Sequence, residues 1–230
     1  RVNNETGAVY DVLKISDFVK SRHPRALVHS DCVQAFLKEK ITLSSLGADM
    51  ISVSSHKVHA LKGSGALITR KGLVLPPHTF GGGQEKGVRS GTENTVGIAA
   101  FGEAVKVLSQ DMKRHDKVRE VYDRLITLLS GVERVVLNIP EAPSHSILNF
   151  SALGVRSETL LHALSARGIF VSSGSACSSK NGLSPVLHAF GLDKTLADSA
   201  IRVSISSLNT LSEAEEFAVA LREEIKRLSR

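Results

Sequence analysis

The stretch Met50 to Lys57 reads Met-Ile-Ser-Val-Ser-Ser-His-Lys, a short apolar alternation that ends in hydroxyls, an imidazole and an amine. An amine held partly out of water beside an imidazole is a nucleophile for a carbonyl, which makes Lys57, next to His56, the first candidate for chemistry. Asp31 is the second. A carboxylate after a brief strand either caps a helix or keeps a pyridinium nitrogen protonated, the usual partner of a lysine Schiff base. Gln34 reaches the same space if a helical turn follows Asp31. Cys177 is the third candidate, because Ser172 to Gly182 is small, polar and glycine-containing, a setting in which a thiol is available as a nucleophile. Cys32 reads instead as a small buried hydrophobe. Taken alone, Ser-His-Lys reads more readily as a surface lysine after an edge strand.

The elements that must position these groups follow from periodicity. Ile51 and Val53 alternate with Ser52 and Ser54 as in a strand, and the polar residues crowd its carboxyl end, where open α/β sheets bind ligands. Ala26 to His29 reads as a brief strand that delivers Asp31. A parallel strand–crossover–strand unit would bring Asp31 and Lys57 to one sheet edge. Before them, Asn3 to Gly7 is a turn in which Asn and Thr side chains satisfy local backbone groups, and Val12 to Val19 carries a helical stripe. After them come a strand at Ala66 to Thr69 and the glycine-rich stretch Gly81 to Asn94. There Arg89, Ser90 and Thr92 can donate to a phosphate or carboxylate.

Two helical stripes follow Asn94, the second stopped by Gly131. Further on, Ile147 to Ser151 reads as a strand, Ser157 to Arg167 as a helix capped by Ser157, and Ile169 to Val171 as a short strand. Ser184 to Phe190 and Leu196 to Ala200 read as short helices, and Ile201 to Ile205 as a strand bearing Arg202. The last helix is expected to open on a capping box of Ser212 and Glu215 and to bury Phe217, Leu221, Ile225 and Leu228.

At 230 residues and 42% hydrophobic the chain can bury a sizeable core in one large or two unequal domains. No stretch resembles a membrane span, and the opening Arg-Val-Asn-Asn-Glu-Thr-Gly lacks the charged and apolar regions of a secretory leader. Only two cysteines occur, outside any CxxC spacing, so neither a disulfide framework nor a metal site is expected, and a reducing, cytoplasmic setting fits. The net charge of +6 raises nucleic acid as a partner, but the basic residues are scattered and aromatics make up only 4%, so no nucleic-acid surface is expected.

The segments Ser30-Asp-Cys-Val-Gln-Ala35, Ser52-Val-Ser-Ser-His-Lys-Val-His-Ala-Leu-Lys-Gly63 and Gly81-Gly-Gly-Gln-Glu-Lys-Gly-Val-Arg-Ser-Gly-Thr-Glu-Asn94, in this order, resemble the NifS/IscS-type cysteine desulfurases of the class V aminotransferase-like group. Ser172-Ser-Gly-Ser-Ala-Cys-Ser-Ser179 resembles the cysteine loop of the same branch. The resemblance implies an α/β fold, the C-terminal part of a fold type I pyridoxal-phosphate transferase: a partial, mainly parallel sheet with helices, plus a smaller α+β domain. It implies residues 1–110 as a partial cofactor-binding large domain and 111–230 as a small domain with the catalytic-cysteine loop. It lacks a counterpart for the family's N-terminal half.

On this resemblance Lys57 carries pyridoxal 5'-phosphate and serves as acid and base, assisted by His56. Asp31 and Gln34 bind the ring, Ser54 and His56 the phosphate, and Asn4 the cofactor or substrate. Thr92 reaches the neighbouring subunit's phosphate in a homodimer. Arg202 forks onto the carboxylate of L-cysteine, and Cys177 becomes a persulfide that passes sulfur to an acceptor such as an iron–sulfur scaffold. Three alternatives stay open: an inert or interaction-only piece of such an enzyme, a selenocysteine lyase, or another class V aminotransferase.

Overall fold

In the computed structural model, which describes residues 1–173 and 184–229, the chain divides into two units. Unit 1 comprises Arg1 and Tyr10–Met112; unit 2 comprises Val2–Val9 and Lys113–Arg230. The chain therefore enters unit 2, leaves it for unit 1, and returns.

Unit 1 opens with helix α1 (Val12–Arg22), whose first turn is satisfied by the Asp11 side chain accepting from Lys14 N at 3.1 Å. Strands β1 (His29–Asp31), β2 (Met50–Ser54) and β3 (Gly65–Thr69) form a sheet in that order. The β1–β2 pair is parallel and sets Asp31 opposite Ser52, whereas β2 and β3 run antiparallel. The expected parallel sheet is thus realised in one pair, and the described strands make a mixed sheet. The short turn between β2 and β3 allows only an antiparallel return. The first strand starts at His29 rather than Ala26. Helix α2 (Thr95–Gln110) is capped by Asn94, which accepts from Gly97 N at 3.0 Å.

Asp49, just ahead of β2, fixes this unit from inside. Its carboxylate accepts from Val28 N at 2.9 Å and pairs with Lys20 at 3.1 Å and Arg70 at 2.6 Å. The Val28 amide first, and then the two cations, hold its pKa below the ordinary carboxylate value.

Unit 2 contains α3 (Arg114–Ser130), β4 (Val135–Leu137), β5 (Ile147–Ala152), α4 (Ser157–Ser165), β6 (Ser172–Ser173), α5 (Pro185–Ala189), α6 (Lys194–Asp198), β7 (Ala200–Ser204) and α7 (Leu211–Leu228). Its sheet is antiparallel, in the order β4-β5-β7-β6. One face of β5 presents Leu148, Phe150 and Ala152 to a core built with Leu129 of α3, Leu160 and Leu164 of α4, and Phe217, Leu221 and Ile225 of α7. Phe150 meets Phe217 edge-on at 6.2 Å between ring centres.

The opposite face of β5 carries Asn149 and Ser151, both buried. Ser151 Oγ donates to Leu196 O at 2.7 Å, and Asn149 lies under the segment Val2–Val9.

Several boundaries differ from the sequence expectation. The last helix opens on Thr210 and Glu213, which form the reciprocal capping box, rather than on Ser212 and Glu215. Both pairs satisfy the S/T-x-x-E spacing, and the one at the true start of the helix is used. Helix α4 has Arg156 at the N-cap, with Ser157 as its first residue. Strand β6 begins at Ser172, beyond Ile169–Val171, and α6 starts two residues early because Asp193 accepts from Leu196 N at 2.9 Å.

Candidate active site

The carboxyl ends of β1 and β2 lie side by side in unit 1, as adjacent parallel strands require. From the end of β2 the chain turns at once into a 3-10 turn, Ser55–Val58, that carries His56 and Lys57. The turn is held by Ser55, which is fully buried and accepts from Ser64 Oγ at 2.8 Å with the carbonyls of Leu61 and Ser64 in reach. His59 closes it at φ 64. Val58 packs inward, so His56 and Lys57 are left toward solvent, exposed and half-buried respectively. Gly65 is required opposite: a Cβ there would lie 2.5 Å from Val53 O.

Ser54 Oγ and His56 Nδ1 are 2.8 Å apart, so this hydroxyl and imidazole form one polar pair beside Lys57. Asp31, the last residue of β1, is exposed and its Oδ1 accepts from Val33 N at 2.8 Å, the local capping use of an aspartate after a strand. A run of turns does follow Asp31, and there Gln34 is half-buried with Oε1 accepting from Lys38 Nζ at 3.1 Å. Thr92 is exposed, ahead of the Asn94 cap. Its loop is ordered by Ser90 Oγ, which accepts from Gly83 N at 3.3 Å, and by Gln84 Oε1, which accepts from Gly91 N at 3.1 Å.

In unit 2 the turn Asn3–Gly7 organises a second polar group. Asn3 Oδ1 accepts from Glu5 N at 2.9 Å and Thr6 N at 3.0 Å, as the turn chemistry predicts. Gly7 has φ +74, and a Cβ on it would meet Ile147 O at 2.6 Å, so only glycine lets the turn lie on β5. Asn4 is exposed; its carbonyl accepts from Arg202 Nη1 at 3.0 Å, and Arg202 Nη2 donates to Ser172 Oγ at 2.9 Å. Arg202 Nε is buried and has no hydrogen-bond acceptor among the described residues.

Glu5 joins this group from the other side. Its Oε2 accepts from Ser184 Oγ at 2.7 Å, and its carbonyl accepts from Asn149 Nδ2 at 3.1 Å. Sequence reading passed over Glu5, Asn149, Ser172 and Ser184. Only Asn149 carried a local signal, as a large polar residue between Leu148 and Phe150 in a mostly apolar strand. Cys177 lies outside the described residues, between Ser172 and Ser184 in the sequence.

Residues 1–217 match the aminotransferase class-V family over nearly the whole chain. The chain belongs to that family. Among its relatives, a NifS/IcsS protein homolog of Lactobacillus delbrueckii subsp. bulgaricus is 38% identical over 96% of this chain and 59% of its own length. The cysteine desulfurase IscS of Clostridium botulinum is 36% identical over 90% of this chain and 53% of its own. The X-ray structure of a NifS-like protein from Rickettsia africae superposes with a TM-score of 0.86 at 32% identity, covering 98% of this chain and 60% of that one. This class-V chain thus spans little more than half the length of the curated relatives it matches. Among the described residues, no helix is long and apolar enough to cross a membrane, and no cluster of three metal-ligating side chains occurs.

Proposed function

We propose that this chain carries the lysine and the thiol of a pyridoxal-phosphate-dependent cysteine desulfurase. The enzyme converts L-cysteine to L-alanine and leaves a persulfide on Cys177, for iron–sulfur cluster or thio-cofactor synthesis. The observation that carries this reading is the grouping in unit 1 of Lys57, the Ser54–His56 pair 2.8 Å apart, and Asp31 at the neighbouring parallel strand end. The donor set fits the cofactor: an amine for its aldehyde, a hydroxyl and an imidazole for its phosphate, and a carboxylate for its ring nitrogen. Bound there, pyridoxal 5'-phosphate supplies an electron sink for bonds at the substrate Cα.

The chain's own groups divide the remaining work. Lys57 gives and takes protons at the substrate carbon, Asp31 and Gln34 orient the ring, and Ser54 and His56 donate to the phosphate. In unit 2 Arg202 takes the carboxylate of L-cysteine; its buried, unpartnered Nε supports this role. Asn4, whose carbonyl accepts from Arg202, contacts cofactor or substrate. The Cys177 thiolate then attacks the substrate sulfur: the carbon–sulfur bond breaks, its electron pair stays on the carbon, and a proton completes alanine. Thr92 serves a neighbouring subunit's cofactor in a homodimer, an acceptor protein draws off the sulfur, and the thiols call for a reducing compartment such as the cytoplasm.

The test is reconstitution of the 230-residue chain with pyridoxal 5'-phosphate and L-cysteine, with alanine and persulfide measured. A visible absorbance band that Lys57→Ala abolishes, and a persulfide that Cys177→Ser abolishes, are the expected results. Alanine without persulfide would favour a lyase or transaminase reading. No band at all would favour an incomplete site, a second reading that rests on the chain spanning 53–59% of the two curated relatives.

A further inference from the structure

Residues 174–183, which contain Cys177, are bracketed by Ser172 and Ser184, and both serines are tied to the turn Asn3–Gly7. On one side Arg202 donates to Ser172 Oγ and to Asn4 O. On the other, Ser184 Oγ donates to Glu5 Oε2 at 2.7 Å and itself accepts from Val186 N at 3.2 Å and Leu187 N at 3.4 Å. Ser184 is 1% exposed, so water cannot replace a lost partner. Its single proton is committed to Glu5, which leaves its lone pairs for the amides that start α5. A hydroxyl-to-carboxylate bond is the stronger, charge-assisted kind.

Glu5 is itself fixed from beneath. Asn149, 1% exposed on β5, donates to its carbonyl, and the amide of Asn138 in turn donates to Asn149 Oδ1 at 2.7 Å. The backbone of Glu5 therefore stands on a buried, hydrogen-bonded base.

We propose that Glu5 is a positioning residue for sulfur transfer. Acting through Ser184, it fixes the start of α5, which follows residues 174–183 in sequence, and it refers that point to the same turn to which Arg202 ties Ser172. The proposal rests on the desulfurase reading for its step, but its geometry does not. A role confined to fold stability predicts a different outcome: uniform loosening of unit 2 with no effect specific to the thiol.

The experiment compares Glu5→Ala, Glu5→Gln, Ser184→Ala and the Glu5→Ala/Ser184→Ala double variant in the 230-residue chain. Glu5→Ala and Ser184→Ala should each speed amide exchange in α5 by about tenfold with α7 unchanged, and the double variant should be no worse than either. Glu5→Gln keeps an acceptor and should stay within about threefold of the parent chain. Iodoacetamide alkylation of Cys177, which needs no cofactor, should change at least about threefold in Glu5→Ala and Ser184→Ala but not in Glu5→Gln. With pyridoxal 5'-phosphate and L-cysteine, Glu5→Ala should slow persulfide formation by about tenfold or more, with KM within about twofold, and Glu5→Gln should recover most of it.

Unchanged α5 exchange in Glu5→Ala overturns the proposal. Faster exchange with alkylation and persulfide rates unchanged also overturns it, since Glu5 would then be structural only. A parent chain that forms no persulfide overturns the desulfurase reading instead, and exchange with alkylation still decides whether Glu5 sets the Cys177 segment.

Discussion

In unit 2 every residue of β5 is buried, whereas in unit 1 Gly65 to Ile68 of β3 are exposed. Both strands are apolar in composition, so cover rather than propensity separates them. β5 lies between β4 and β7, with the helices α3, α4 and α7 on one face and the Asn3–Gly7 turn on the other. β3 is an edge strand, and Leu67 and Ile68 reach solvent together with Leu13, Ile15 and Phe18 of α1 and Val96 and Ile98 of α2. Unit 1 adds a polar anchor to its buried Ile51, Val53 and Val58, with Asp49 holding β2, the preceding segment and α1 together, while unit 2 is held chiefly by its large apolar core.

That contrast is broken or sharpened by substitution, measured as urea unfolding with a probe in each unit. Phe150→Ala should destabilise unit 2 by about 3–5 kcal/mol, since the ring is fully buried against Phe217 and leaves a cavity, whereas Leu67→Ala should change stability by no more than about 0.5 kcal/mol. An equally large effect at Leu67 would sink the comparison. Asp49→Asn comes next, on the order of 2 kcal/mol, limited by the partial exposure of Lys20 and Arg70.

The same residue gives unit 1 a pH signature. Because Asp49 has a lower pKa folded than unfolded, its contribution is full above the ordinary carboxylate value. It disappears as pH falls through the folded value, so acid should weaken unit 1 in the parent chain and weaken Asp49→Asn less. Acid titration of the two proteins in parallel would show it; identical curves would mean that the anchor is not charged. The smallest effect, about 1 kcal/mol, is expected for Thr210→Ala, which removes the side-chain cap of α7 and should appear in unit 2 alone.

What could be read ahead of the structure divides by range. Periodicity placed β2, β3, α1 and the buried stripe of α7, because each is decided within one element. Lys57, Asp31, Ser54 and His56 stood out as candidates because strand ends and turn residues advertise themselves locally, whereas the bond between Ser54 and His56 did not. Boundaries slipped where two local patterns competed, as with Thr210–Glu213 against Ser212–Glu215. Glu5 and Ser184 escaped altogether: they are 179 positions apart, and nothing near either one marks it as a partner.

The membership of Val2–Val9 in unit 2 also implies an order of events. Asn149, Ser184 and Arg202 meet residues 144, 179 and 198 positions away, whereas the helices and hairpins of unit 2 close over short loops. Long closures lose more chain entropy and come late. The apolar side of β5 can therefore assemble first, leaving its asparagine face wet until the chain's beginning clasps it shut. A contiguous piece covering 113–230 would stop at that penultimate stage, compact on one side and with the buried amide of Asn149 still in water.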